Sequence, residues 1–319
     1  MATTLFILRR LLQAVVVVFI VTIVVFCLLH SLPGGPARGV LGVHATAQQI
    51  AQFNSEQGLD RPLPVQYVLY LGQLLRGDLG ESFTLNAPVS QLIVQRLPKT
   101  LVLTLAQAVL ALVVAIPVGM WQARRRNRPS DYVLTTVSLV LYSTPVFFFG
   151  LILIALLTQV IPVLPSQAPS GDTLAQVFSD PAGLVLPIVT GAAAMVAVFS
   201  RFMRSATLEN LDEDFVRTAR AGGSSMRSIL TRHVFRNSLT PVVAMLGYYV
   251  PVLFGGSLVV EQLFNYPGMG LLFWNAAQSS DFPVLLGCVL VIAVATVCGT
   301  LLADVLQAII DPRVKTTRS

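Results

Sequence analysis

Long apolar runs are the feature that most constrains this sequence. An α-helix rises about 1.5 Å per residue, so about 20 apolar residues can cross the hydrocarbon core of a bilayer. The sequence holds six such runs, which predict six transmembrane helices at Leu11–Leu29, Thr100–Trp121, Val133–Leu157, Leu184–Phe202, Leu239–Val260 and Val284–Ala303. Only 11% of the 319 residues are charged, far below a soluble domain. The predicted fold class is therefore an all-α integral membrane protein with one transmembrane domain over residues 1–319.

Lysine and arginine are divided unevenly between the connections. If the N-terminus is cytoplasmic, 16 of the 21 basic residues fall on cytoplasmic segments, and the other five fall in the first external connection, residues 32–99. Positive side chains accumulate on the cytoplasmic side of membrane proteins. The sequence thus predicts cytoplasmic termini and a long cytoplasmic loop at residues 203–238, and we call this segment the coupling loop. The net charge of +6 is a topological bias and does not indicate nucleic-acid binding.

The side chains of metal and nucleotide sites are scarce. The three histidines share no ligand spacing, and the two lysines, Lys99 and Lys315, do not follow a glycine, so a P-loop is absent. We therefore expect no catalytic residue, no metal site and no cofactor bound by this chain. Residue counting along the fifth run places Glu261 at the outer interface and leaves no charge at the middle of the membrane.

The coupling loop has the pattern of a helix, a glycine turn and a second helix. "LDEDFVRTARAGG" begins with three acidic residues, which favour a helix N-terminus, and it ends at Gly222 and Gly223. From Gly223 onward, a helical projection places Ser224, Arg227 and Thr231 on one face and Met226, Ile229 and His233 on the other. A basic amphipathic helix resting on anionic lipid is an alternative interpretation, which the acidic residues weaken.

The segment "DFVRTARAGGSSMRSILTRHVFRNSLTPVV" resembles the cytoplasmic loop motif of the permease subunits of binding-protein-dependent ABC importers, in their dipeptide and oligopeptide branch. That motif reads Glu-Ala-Ala, three residues, Gly, nine residues, Ile-x-Leu-Pro. Its first part matches Arg217, Thr218, Ala219 and Gly223. Its end falls on residues 233–236, which depart from the motif, with a proline five residues later.

Further segments along nearly the whole chain resemble the same branch. They include "LPGGPA" at 32–37, "GLDRPLPVQYVLYLGQLLRGDLGESF" at 58–83, "PVSQLIVQRLPKTLVLTLAQ" at 88–107, "VEQLFNYPGMGLLFWNAAQSSDFPVLLG" at 260–287 and "DPRV" at 311–314. The resemblance implies the type I ABC importer permease fold in a bacterial inner membrane. It also implies as partners a second homologous permease, two ATPase subunits that bind ATP and magnesium, an extracytoplasmic solute-binding protein, membrane lipid and a peptide substrate.

Two sets of functional residues are expected, the first from the resemblance and the second from the hydroxyl, aromatic and proline residues of the predicted spans. The set expected to dock on an ATPase, with small residues at Thr218, Ala219 and Ala221 for close approach, is Asp214, Phe215, Val216, Arg217, Thr218, Ala219, Arg220, Ala221 and Gly223. The set expected along the translocation pathway is Ser143, Thr144, Pro145, Tyr248 and Tyr249. Two alternatives remain open at this point. The same class of permease imports nickel chelates or glutathione, and a membrane anchor without transport activity would also need only spans and one amphipathic loop.

The orientation is testable by labelling. Single cysteines placed at Asn127 and Asp311 should react with a membrane-impermeant maleimide only from the cytosolic side, and one at Asp172 only from outside. The reverse pattern would exclude the predicted topology.

Overall fold

A computed structural model describes residues 2–30, 35–42, 44–171, 173–255 and 257–310, without some of the helical side chains, such as those of residues 2–11 and 301–310. This part of the chain is helical, with a single isolated β-bridge, which confirms the all-α fold class. The helices in chain order are α1 Ala2–His30, α2 Gly35–Leu41, α3 Ala47–Glu56, α4 Leu63–Leu75, α5 Val89–Arg124, α6 Pro129–Ser143, α7 Val146–Ile154, α8 Leu174–Phe178, α9 Ala182–Leu211, α10 Asp214–Ala221, α11 Met226–Ser228, α12 Phe235–Tyr248, α13 Val250–Gly255, α14 Leu258–Leu263, α15 Met269–Gln278 and α16 Phe282–Ile310. Two π-helical segments, Ala155–Val160 and Ile229–Val234, follow α7 and α11.

Three of the predicted spans lie in long continuous helices. Among the described residues, α5, α9 and α16 are each long and apolar enough to cross a membrane, and the number rises to five if two bent helix pairs count as one span each. The first predicted span lies within α1, a helix of 29 residues. The chain is thus a multi-pass membrane protein, and the count of six spans stays a prediction.

The third predicted span is not one straight helix. It breaks between α6 and α7, whose axes differ by 103°. Thr144 has an extended backbone with ψ 124°, and Pro145 follows it. Proline disfavours the helical conformation of the residue before it and has no N–H to donate, so the expectation of a continuous helix over Val133–Leu157 is corrected.

The fifth predicted span, Leu239–Val260, is also divided, into α12, α13 and α14. Tyr249 caps α12, and its N–H bonds to the carbonyl of Leu246 at 3.0 Å in a tightened last turn. Pro251 has no N–H to continue the helical ladder. The expectation of one continuous fifth helix is therefore also corrected.

The core of the protein is the packing of α5 against α9. Gly119 on α5 lies so close to α9 that a Cβ built there would come within 2.6 Å of the carbonyl oxygen of Ser200 and 2.7 Å of the Cβ of Met203. Gly191 on α9 makes room for the side chain of Gln107, whose amide donates to the carbonyl of Pro187 at 3.2 Å. Small residues thus let the two backbones approach closely, as is common between membrane helices.

At the outer end of α5, a buried carboxylate ties three helices together. Glu261 on α14 is fully buried, and it accepts hydrogen bonds from the hydroxyl of Thr100 at 2.9 Å and the N–H of Leu271 at 3.1 Å. The hydroxyl of Tyr266 donates to the carbonyl of Lys99 at 2.7 Å. The predicted depth of Glu261 at the outer interface stays a prediction, but its side chain does not face solvent. It is surrounded by protein and fixes α14 and α15 to α5.

Helix α4 belongs by sequence to the external connection, yet it packs along α1. Tyr67 on α4 contacts the ring of Phe19 with centroids 6.3 Å apart, and its hydroxyl lies 2.9 Å from that of Thr22. Tyr67 also meets the ring of Phe26, at 5.3 Å. Phe19 lies ten residues, or about 15 Å, before the end of the first predicted span. This depth is about half of the hydrocarbon core, so the side chain of Tyr67 reaches the middle of the first predicted span.

The close approach of α5 and α9 is testable with two glycine substitutions. Gly119→Ala should destabilise the protein by about 1–3 kcal/mol and lower its thermal unfolding midpoint in detergent, because the backbone of α9 has to move away from the new methyl group. Gly72→Ala on α4 is the matched control, since a Cβ there meets no atom within 4 Å. Equal midpoints for the two variants would contradict the packing described here.

Candidate coupling site

The coupling loop is built from the end of α9, from α10 and from the start of the helix that leads to α12. Helix α9 continues to Leu211, well past the predicted end of the fourth span at Phe202. Helix α10 follows after a two-residue break and begins beside Glu213, whose extended backbone has φ −73° and ψ 153°. The loop is therefore a helical protrusion joined directly to two membrane helices.

A glycine turn ends α10. Gly223 has φ +79°, a left-handed conformation that side chains other than glycine rarely adopt. Its N–H bonds to the carbonyl of Arg220, and the N–H of Ser224 bonds to the carbonyl of Ala219, both at 3.0 Å. These two bonds form a Schellman motif, which reverses the chain sharply at the predicted glycine pair.

The inner side of the protrusion is a small apolar core. Val216 of α10 is fully buried and packs with three buried residues from the following segment, Ile229, Leu230 and Val234. The residues packed around this cluster are Met120 of α5, Leu211 of α9, and Phe215 and Ala219 of α10. The cluster holds α10 against the ends of α5 and α9, so α10 is not a free arm.

The amphipathic pattern expected for the second helix is only partly correct. Ser224, Arg227 and Thr231 are exposed as predicted, but of the opposite face only Ile229 is buried, while Met226 and His233 are exposed. The π-helical turn at Ile229–Val234 explains the exposure of His233, whereas Met226 lies before this turn and its exposure has no such cause. A π-turn adds a residue relative to the α-helix, so a projection at 3.6 residues per turn fails beyond it.

The outer side of α10 is an exposed stripe of four residues, which we call the outer face of α10. Asp214, Arg217, Thr218 and Ala221 are all exposed, and their spacing of three and four residues places them on one side of the helix. The guanidinium of Arg217 lies 3.1 Å from the carboxylate of Asp214. Both side chains of that pair are more than 70% exposed, so the pair is ready to exchange partners.

The base of the coupling loop is held by an ion pair between α6 and α9. Arg204 donates to both carboxylate oxygens of Asp131, from Nε at 2.9 Å and from Nη2 at 2.8 Å. The N–H of Asn127 also donates to Asp131, at 3.1 Å. The side chain of Asp131 is 3% exposed and that of Arg204 is 28% exposed. This two-fold bond fixes the turn between α5 and α6 to the part of α9 that enters the loop.

The predicted docking residues thus fall on two sides of α10. Arg220 is exposed beside the outer face, whereas Phe215 and Ala219 are half-buried against the apolar core and Val216 is fully inside it. Of the three small residues expected to allow close approach, only Thr218 and Ala221 are available to a partner. Nothing else in the structure bears on their role, which stays a prediction.

The predicted pathway residues fall in two places. Ser143, Thr144 and Pro145 form the bend between α6 and α7, with Ser143 and Pro145 exposed. Tyr249 lies at the end of α12, where its ring packs against Phe199 at 5.2 Å. The side chain of Tyr248 lies outside the described part of the structure.

Sequence reasoning missed the Asp131–Arg204 pair. The available signal was an acidic residue directly after the basic turn "RRRNRPS", at a position where a lone carboxylate needs a partner. Which arginine supplies the partner could not be read from the sequence, because 73 positions separate the two residues.

Comparisons with known proteins agree on one family. The family described as "Binding-protein-dependent transport system inner membrane component" matches residues 115–316, and the N-terminal family of the same membrane component matches residues 3–104. The oligopeptide transport system permease protein AppB of Bacillus subtilis is 38% identical over 312 residues, covering 97% of this chain and 99% of the relative. The glutathione transport system permease protein GsiC of Salmonella choleraesuis is 37% identical over 310 residues, covering 97% and 98%.

The role of the ion pair at the base of the loop is testable by a double-mutant cycle. Asp131→Asn leaves Arg204 without its charge partner and should destabilise the protein by about 1–3 kcal/mol. This range is below that for fully buried ion pairs, because the side chain of Arg204 reaches solvent. Asp214→Asn, which breaks the exposed pair on α10, is the matched control and should change stability little. Thermal unfolding of Asp131→Asn, Arg204→Gln and the double variant measures the coupling. Strictly additive effects would show that the pair does not hold the loop.

Proposed function

The chain belongs to the family of inner-membrane components of binding-protein-dependent transport systems, and we propose that it forms half of the membrane channel of an ATP-driven importer of short peptides. The chain is similar over 97% of its length to permease subunits, which are membrane parts of ABC transporters and not enzymes. Family membership alone does not give the cargo, the composition of the assembly or the route by which ATP binding moves the channel.

The observation that carries the coupling proposal is the two-sided build of α10. Its inner side is packed into the apolar core with Ile229 and Val234, and its outer face is free for a partner. A helix that only rested on lipid would turn its apolar side, and not its polar side, toward the membrane. We therefore assign the outer face of α10 to a groove on a cytosolic ATPase subunit.

Force can pass from the ATPase to the channel through this helix. When ATP draws two ATPase subunits together, a helix seated in one of them moves with it. Val216 belongs to the apolar cluster against which Met120 of α5 and Leu211 of α9 pack, so a displacement of α10 is transmitted through this cluster to both membrane helices. The ion pair between Asp131 and Arg204 extends the connection to α6. The free energy available for this displacement is the difference between the binding free energies of α10 in the two states of the ATPase.

The assembly we propose contains this chain, a second homologous permease, two ATPases that bind ATP and magnesium, and an external solute-binding protein. The exposed apolar residues of α6 and α7 support a neighbour in the membrane, whether protein or lipid. They include Tyr132, Val137, Tyr142, Phe147 and Phe148, each at least 47% exposed. In this arrangement both termini are cytoplasmic and residues 32–99 lie on the same side of the membrane as the solute-binding protein.

The cargo we propose is a short peptide. One relative is named for oligopeptide transport and another for glutathione transport, and glutathione is itself a modified tripeptide. The bend at Ser143–Pro145 holds the hydroxyl groups of Ser143 and Thr144 beside the exposed ring of Pro145. Such a surface can contact the backbones of peptides of varied sequence. No group of three or more potential metal ligands occurs among the described residues. A glutathione importer is the second candidate, because a relative of almost equal similarity carries that name.

The coupling proposal predicts that a bulky charge on the outer face of α10 uncouples transport. Thr218→Arg should lower solute-stimulated ATPase activity about tenfold in the reconstituted complex, because a packed groove cannot accept the longer side chain without a cost of 1–3 kcal/mol. Ser224→Arg, exposed beyond the glycine turn, is the matched control and should keep the activity of the unmodified protein. If α10 instead lay on anionic lipid, Thr218→Arg would strengthen binding by about 1 kcal/mol and would not reduce activity.

The cargo proposal predicts selective uptake. Liposomes that contain the permease pair, the ATPases and the binding protein should accumulate labelled di- to pentapeptides when ATP is supplied. The same liposomes should accumulate nickel and glutathione much less. Uptake of glutathione or a nickel chelate without peptide uptake would overturn the peptide assignment and leave the coupling proposal intact.

A further inference from the structure

An open cavity of about 580 Å³ lies at the outer end of α1, between α3, α4 and α16. Its volume is within the range of small-molecule sites. It belongs neither to the coupling loop nor to the bend between α6 and α7. Its floor is formed by Phe26 of α1 and Phe282 of α16, which are buried. The cavity thus stands directly above two membrane helices.

The depth of this cavity is fixed by the contacts of α4. Because Tyr67 reaches Phe19 and Thr22 of α1, the first turns of α4 contact the outer half of the first predicted span. Val68 and Leu69 line the cavity and are also exposed, by 65% and 48%. An exposed apolar side on a helix at this depth faces acyl chains. The cavity therefore opens at the level where lipid headgroups meet hydrocarbon.

Basic side chains dominate the polar wall of the cavity. Arg61 and Arg76 line it, against the single carboxylate of Glu56. Arginine is the side chain best suited to a phosphate, because its planar fork donates two parallel hydrogen bonds. The polar and apolar walls together match an amphiphile with a negatively charged head.

His30 holds this wall of the cavity in place through two contacts. Its Nδ1 lies 2.8 Å from the carbonyl oxygen of Phe26, and its Nε2 lies 3.0 Å from Oε1 of Gln66. The amide nitrogen of Gln66 donates to the carbonyls of Leu59 and Arg61, which fixes its oxygen toward the ring. These contacts of both ring nitrogens join α1 to α4 at the wall of the cavity.

We propose that this cavity binds the phosphate headgroup of a phospholipid of the outer leaflet, with Arg61 and Arg76 on the phosphate and the acyl chains along Val68 and Leu69. The site does not depend on the proposed transport function. A bound lipid would hold α4 beside α1 and so support the part of the chain that faces outward.

The test is native mass spectrometry of the purified full-length chain in detergent, titrated with dioleoylphosphatidylglycerol. Dioleoylglycerol, with the same chains and no phosphate, and sn-glycerol 3-phosphate, with no chains, separate the contributions of head and tail. We expect the phospholipid to bind at least about tenfold more tightly than either fragment. Equal affinity for dioleoylglycerol would mean an unspecific apolar surface, and equal affinity for sn-glycerol 3-phosphate would mean a site for free phosphate; either result overturns the proposal.

Matched variants locate the site. Arg61→Gln and Arg76→Gln should each weaken phospholipid binding about tenfold, the value of one charge-assisted contact. Arg61→Lys and Arg76→Lys, which keep the charge, should lose less. Arg38→Gln, an exposed arginine of α2 outside the cavity, is the control and should bind as the unmodified chain does.

All four cavity substitutions are at the exposed positions Arg61 and Arg76, so the thermal unfolding midpoints of the variants without lipid should equal that of the unmodified chain. These midpoints are measured together with the lipid affinities. Unchanged affinity in both glutamine variants, or an equal loss in Arg38→Gln, would show that the lipid binds elsewhere.

Discussion

The structure depends on the near contact of two helix backbones, α5 and α9. Gly119 and Gly191 remove side chains at the points where these helices meet, and Gln107 fills the space that Gly191 leaves. Lipid tails are as apolar as leucine, so two membrane helices gain little from hiding apolar surface and must gain from close packing instead. Helices α6, α7 and α12 all pack against α9, and the coupling loop is the continuation of α9 itself.

The two ends of this helix pair differ in how they are held. At the outer end, the buried carboxylate of Glu261 and the hydroxyl of Tyr266 bond to the backbone and side chains around Lys99 and Thr100, which leaves α14 and α15 little freedom. At the inner end, an apolar core and one ion pair hold α10, and its polar side remains open to solvent. A pair of helices that is fixed at one end and carries an exposed protrusion at the other is suited to receive motion through that protrusion.

Much of the fold could be predicted from the sequence because long apolar runs have few structural solutions. The runs in α5, α9 and α16 became continuous helices, since in lipid each backbone group must find its partner within the helix. The breaks at Pro145 and near Pro251 were harder to predict. Pro117 and Pro187 lie inside continuous helices, so a proline marks a place where a break is permitted, and the tertiary contacts decide whether it occurs.

The candidate site could be predicted only in part. The glycine turn at Gly223 and the acidic start of α10 are local features, and they appear where the sequence placed them. The inward position of Ala219, the π-turn at Ile229–Val234 and the Asp131–Arg204 pair depend on contacts between distant segments, which no local pattern encodes. Helix α4 lies within the predicted external connection, and its 13 residues are too few to span a bilayer. A helix that enters the membrane without crossing it gives no signal in a count of spans.

The central claim is that the coupling loop moves as one rigid body with the ends of α5 and α9. Spin labels at Arg128, in the turn held by Asp131, and at Ser224, which is bonded to Ala219 of α10, are both on exposed positions and report on this unit. Their distance distribution, measured by electron paramagnetic resonance in the complete transporter, should be the same without nucleotide and with ATP trapped. A shift or broadening on ATP binding would show that α10 moves independently of the membrane helices, and would contradict the account.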